Sequence, residues 1–130
     1  MHFDSSAGSV HWDEFAGAVC VTWKRFAERE EYRAVLNAGV ELLLQKKTKR
    51  WLSDLRDLGA ITQEDQRWGS ESWLPRATQA GMAYIALVSP RKLVAQMAVK
   101  TFMNNVNDHS VVIGNFEDLE TARDWLQSQT

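Results

Sequence analysis

Residues 82–88, Met-Ala-Tyr-Ile-Ala-Leu-Val, form an unbroken apolar run that stops at Ser89-Pro90. A run of this length is a strand covered on both faces, as in a parallel sheet; a half-solvated strand would alternate. Ser89-Pro90 then reads as an N-cap followed by Pro at the first helical position. Residues 91–106 form a helix with apolar side chains around much of its girth: Leu93, Val94, Met97, Ala98, Val99, Phe102, Met103 and Val106. Residues 111–116 return to a strand pattern. Asp118 caps a last helix with Leu119, Ala122, Trp125 and Leu126 inward.

Upstream the same alternation holds. A first strand begins at Val10, and residues 13–17 carry turn chemistry. In residues 18–24, Val19, Val21 and Trp23 alternate with Ala18, Cys20 and Thr22, so the two strands make an antiparallel hairpin. Residues 28–47 are the clearest helix, with Tyr32, Val35, Leu36, Gly39, Val40 and Leu43 in one stripe. Acids lead it and lysines close it, as the helix dipole favours. Residues 51–56 form a strand, and Thr62-x-x-Asp65 resembles a capping box opening a helix from Gln63. Pro75 is expected to break that helix, with a further turn stopping at Gly81.

The order β-β-α-β-α-β-α-β-α predicts an α/β fold. Its sheet is mixed, mostly parallel and five-stranded, with the first strand antiparallel, about four helices, and helices on both faces. At 130 residues the chain is one domain, expected over residues 10–130, with residues 1–9 as a flexible arm. A net charge of -2 argues against nucleic acid as a partner. No apolar run approaches the roughly 20 residues needed to span a bilayer, so no integral membrane association is expected. The first residues lack signal-peptide character and the single Cys20 cannot form an internal disulfide, which together predict a cytoplasmic location.

Ligands of open α/β sheets bind beyond the carboxyl ends of the strands. Here those ends supply Lys24, Arg25 and Phe26, then Arg56 and Asp57, then Ser89, Pro90 and Arg91, then Asn115. The starts of the helices at Gln63 and Arg91 turn backbone donors to the same side, which suits an anion. The plainer alternative has Arg56 paired with Asp54 or Asp57 on the surface. Trp68 and Trp73 sit roughly 140° apart on an unbroken helix and do not face one another, although Pro75 is placed to re-aim Trp73. The apolar surplus of helix 91–106 calls for a neighbouring helix, a second subunit or an apolar ligand. A candidate cleft therefore groups Trp68, Trp73, Arg76, Arg91, Met97 and Lys100. Trp12, Trp23, Trp51 and Trp125 read as core or edge packing.

Chemistry gets little support. His2, His11 and His109 have no metal spacing with each other, with Cys20 or with carboxylates. There is no nucleophile elbow, phosphate loop or dinucleotide glycine pattern. No cofactor, metal or enzymatic activity is expected.

The phrases Glu31-Tyr32-Arg33, Arg50-Trp51-Leu52-Ser53-Asp54-Leu55-Arg56, Glu64-Asp65-Gln66-x-Trp68, Trp73-Leu74-Pro75-Arg76-Ala77 and Lys100-x-Phe102-Met103 resemble small bacterial proteins in the SpoIIAA-like branch of the STAS/SEC14 superfamily. The resemblance covers nearly the whole chain beyond residue 10. It implies a STAS-like fold and a binding or regulatory role. In signalling STAS domains a strand ending in Asp leads to an Asp-Ser-Ser-Gly turn, whose second Ser is phosphorylated. Laid on this chain, Asp54 matches the strand Asp and Glu64 stands at the phosphoacceptor's place. A carboxylate there mimics a constant negative charge near a helix start. Thr62 remains as an acceptor only if it is not simply the helix cap.

Two roles follow. The first is a non-catalytic, homodimeric module that binds a protein partner through Asp54, Arg56, Asp57, Thr62 and Glu64. The second is a carrier or sensor of an amphipathic, lipid-like anion in the candidate cleft.

Overall fold

The computed structural model describes residues 2–106 and 110–129; His109 lies outside them. Six strands form one sheet in sequence order. They are β1 (Phe3–Asp4), β2 (Gly8–Asp13), β3 (Ala18–Trp23), β4 (Arg50–Asp54), β5 (Tyr84–Val88) and β6 (Val112–Phe116). β1 and β3 each pair antiparallel with β2, and β3 through β6 are parallel. The mostly parallel α/β fold is as expected, but with a sixth strand. Residues 3–4 and 8–9, expected in a flexible arm, belong to the sheet, and Ala7 is fully buried between them. The arm lacked a legible period because β1 is only two residues long.

The parallel strands are laid down in consecutive order. Crossovers of one hand then carry their connecting helices to one face. That face is built by alternate positions Val19, Val21, Trp23, Trp51, Ile85 and Leu87, packed under α1 (Arg29–Lys46), α3 (Leu74–Gln79) and α4 (Leu93–Asn104). The opposite positions Ala18, Cys20, Leu52, Ala86 and Val88 pack under α5 (Leu119–Gln127) alone. β5 lies between both layers, which is why its sequence is apolar at every position.

α1 is the anchor. All six residues of its predicted stripe are buried, together with Ala38 and Leu42. Gly39 lets it approach the sheet: a Cβ there would stand 2.2 Å from the Trp51 ring. At its start the Glu31 carboxylate accepts the Glu28 backbone N–H at 3.1 Å, and Lys47 ends it in the left-handed conformation.

The expected break at Pro75 does not occur. α2 (Gln63–Trp68), a π turn (Gly69–Trp73) and α3 form one continuous helical body. Pro75 has no N–H and its ring would clash with a carbonyl one α-turn back. The wider π turn, with the Leu74 N–H bonded to the Gly69 carbonyl, delivers Pro75 into the first turn of α3, where no N–H is needed. α4 also starts later than expected. Lys92, not Ser89, is its N-cap, because the Arg91 N–H, which a Ser89 cap would receive, is donated to the Arg56 carbonyl at 3.2 Å. No described helix is long and apolar enough to cross a membrane.

Candidate functional site

The carboxyl ends of β4 and β5 gather the charges the sequence singled out, but they are paired with one another. Arg56 donates to Asp54 through Nε at 2.9 Å and Nη2 at 2.7 Å. Burial would push the Asp54 carboxyl up, yet the side-chain and backbone hydrogen bonds from Arg56 outweigh it and hold the group below the ordinary carboxylate range. Arg91 reaches Asp57 at 2.9 Å, and its N–H bonds the Arg56 carbonyl. Thr62 accepts the Asp65 N–H at 3.1 Å, so it serves as the cap of α2. Glu64 turns toward α1, 3.1 Å from Arg29 and 3.8 Å from Arg33.

Asp65 does not complete the capping box. Its side chain turns inward and is only 1% exposed, with both carboxylate oxygens lacking a hydrogen-bond partner among the described residues. Its nearest cation is Arg33, 3.7 Å away. The Arg33 and Arg76 guanidinium groups lie 5.1 and 5.5 Å from the Trp68 ring, and Tyr32 meets that ring edge-on. Trp68 is therefore a half-buried clamp between α1 and α3. Arg76 is further held by the Asn37 side-chain oxygen at 2.8 Å.

Trp73 is in the core, edge-on to Trp51 at 5.0 Å and tilted against Phe102 at 6.5 Å. It borders a small cavity of about 70 Å³ beside α4, lined also by Tyr32, Ser53, Leu87 and Phe102. The six candidate cleft residues thus do not surround one cavity. Trp73 borders the small cavity, Trp68 and Arg76 lie toward α1, Arg91 pairs with Asp57, and Lys100 lies on the far flank of α4.

Met97 alone of the six lines an open groove of about 970 Å³ between the α2–α3 body and α4. Ile61, Leu74, Pro75, Val94 and Ala98 give it an apolar floor, and Gln63, Arg67, Glu71 and Thr101 a polar rim. Beside it, Leu93, Val94 and Met97 stand 70%, 52% and 62% exposed, while only Ala95 and Ala98 of α4 are buried. The apolar surplus of helix 91–106 was legible in the sequence. Leu93 and Val94 were counted in that surplus but not placed in the candidate cleft, although both fall outside the stripe through Ala95, Ala98 and Phe102 that seats the helix.

Among the described residues no three of His, Cys, Asp and Glu come together as a metal set. Cys20 is buried on the α5 side, and burial pushes its thiol up to about 12, far from a reactive thiolate. Comparison with curated proteins and with solved structures finds no match. A family model described as SpoIIAA-like matches residues 18–127, from β3 through α5. The match takes in the parallel strands, all five helices and the groove, and on it the chain belongs to the SpoIIAA-like family.

Proposed function

We propose that this protein is a non-catalytic, cytoplasmic binding module that docks an amphipathic segment of a protein partner in the groove between α2–α3 and α4. The observation that carries this reading is the exposure of Val94 and Met97 in that groove, with exposed Leu93 next to Val94 in the chain. Apolar side chains gathered at a polar-rimmed groove are the usual mark of an interaction site. The charged residues lining the groove, Arg67 and Glu71, offset one another, so its apolar floor rather than net charge selects the segment. Family membership supports a regulatory rather than an enzymatic role.

The surface first expected to meet a partner contributes less. Asp54, Arg56 and Asp57 already satisfy one another or Arg91, Thr62 is a helix cap, and Glu64 pairs with α1. Glu64 keeps a fixed negative charge where the resemblance puts a phosphorylated Ser, so binding is not switched at that position.

The second reading, a carrier of an amphipathic anion, draws on the small cavity beside Trp73, whose buried indole N–H lacks a partner among the described residues. At about 70 Å³ that cavity is well below the ~300 Å³ at which ligand pockets begin.

The test isolates the partner from source cells and measures rebinding of the purified pair. Met97→Glu should weaken it by roughly tenfold or more, and Arg56→Ala should leave it near wild type. Wild-type affinity in Met97→Glu would overturn the proposal. Native mass spectrometry showing a stoichiometric small molecule on the isolated protein would favour the carrier instead.

A further inference from the structure

β6 is an open edge of the sheet. The Val112 N–H bonds the Ala83 carbonyl, and the Phe116 carbonyl accepts from the Ser89 N–H, both at 2.9 Å. The even positions of β6 therefore turn their backbone groups toward β5, and Ile113 and Asn115 turn theirs outward. The opposite edge is guarded: β1 has two residues, and its Asp4 is held by Lys24 at 2.6 Å. Among the described residues β6 has no such guard. Val-Ile-Gly-Asn-Phe contains neither a charge nor a proline, and Val112 is 49% exposed. Unblunted edges of this kind are templates for pairing.

We propose that a second copy of this chain pairs antiparallel with β6, in register about Gly114, so that two six-stranded sheets become one. In that register Ile113 faces the partner's Asn115 and Asn115 faces the partner's Ile113. Both are hydrogen-bonded pairs in which each residue gives and receives a bond. Gly114 meets its own copy at the non-bonded position, where strands approach most closely, and the absence of a side chain keeps that approach open. A side chain is excluded there in any case, since a Cβ would lie 2.8 Å from the Phe116 ring of its own strand. Val112 falls opposite the partner's Phe116, an apolar cross-strand pair. Glu117 falls opposite the partner's Val111, so like charges do not meet.

The two-fold axis of this pairing stands normal to the sheet and keeps both α4 helices on one face. Each then turns its β6-side flank toward the joint. That flank borders a groove of about 400 Å³ lined by Gln96, Val99, Lys100, Met103 and Asn115. These strips extend the contact beyond one strand, toward the ~800 Å² per partner of a stable interface. The docking groove on the other flank of α4 stays open, so this inference does not depend on the proposed function.

Sedimentation over a dilution series, combined with amide hydrogen exchange, tests it. Wild type should dimerise with concentration. The Ile113 and Asn115 amides should gain protection as it does, while the Val112 and Gly114 amides remain protected throughout. Asn115→Pro removes an outward N–H and leaves the β5 ladder intact, which an edge strand tolerates; it should sediment as monomer with unchanged circular dichroism. If Asn115→Pro does not fold, Val112→Lys serves the same purpose by placing a charge against the partner's Phe116. A wild type that is monomeric throughout overturns the proposal. So does a dimer that survives either folded variant, or one whose Ile113 and Asn115 amides keep exchanging freely.

Discussion

α1 and α4 both connect neighbouring parallel strands on the same face of the sheet, yet they are seated in opposite ways. α1 buries eight residues, including Tyr32, Val35, Leu36 and Leu43, and presses Gly39 against Trp51. α4 is the more apolar helix by sequence, but it buries only Ala95 and Ala98 and leaves Leu93, Val94 and Met97 in solvent. Apolar content alone does not tell which helix builds the core. A helix with one narrow stripe is there for folding, and a helix apolar around its girth carries a second surface that folding does not use.

The largest effects should fall on α1. Leu43→Ala removes a fully buried side chain and should cost about 2–5 kcal/mol in urea unfolding. Gly39→Ala should cost about 1–3 kcal/mol, because its Cβ collides with the Trp51 ring and the helix must lift. A neutral result for either would break the contrast between the two helices.

Acid should act away from both helices. Asp13 is buried, which alone would raise its pKa. The Ala16 N–H and the Arg123 guanidinium, 2.7 Å away, hold it below the ordinary range, as Arg56 does for Asp54. Folded pKa values below the unfolded one of about 3.9 mean that the unfolded chain binds protons first. The stability these carboxylates contribute is fully present at neutral pH and is lost as pH falls below about 4. Asp13→Asn with Asp54→Asn should flatten that part of an acid unfolding curve; an unchanged curve would remove these pairs from the account.

The smallest stability effect should come from α4. Leu93→Gln with Met97→Gln should change unfolding free energy by less than about 0.5 kcal/mol, since both side chains are already largely exposed. A loss near that of Leu43→Ala would show α4 to be as much a core helix as α1.

Much of the fold was legible because its periods are strong. The six-residue stripe of α1 and the unbroken run of β5 fix a helix and a doubly covered strand with no tertiary information. β1 was too short to show a period, and Pro75 predicts a break only if the preceding turn is α-helical; the π turn at Gly69–Trp73 removes the conflict. The site was less legible. Pairing of Arg56 with Asp54 and the separation of Trp68 from Trp73 follow from spacing. The groove does not, because residues 61–79 and 94–105 meet only through tertiary packing. Nor does the burial of Asp65, which local sequence presents as a helix-capping residue.

The most direct measurement places a photo-crosslinking side chain at position 97 on α4 and, separately, at Glu41 on the exposed side of α1, and compares the adducts formed in source cells. The account predicts a heterologous protein adduct from position 97 and little or none from position 41. Equal yields at both positions, or no protein adduct at 97, would contradict it.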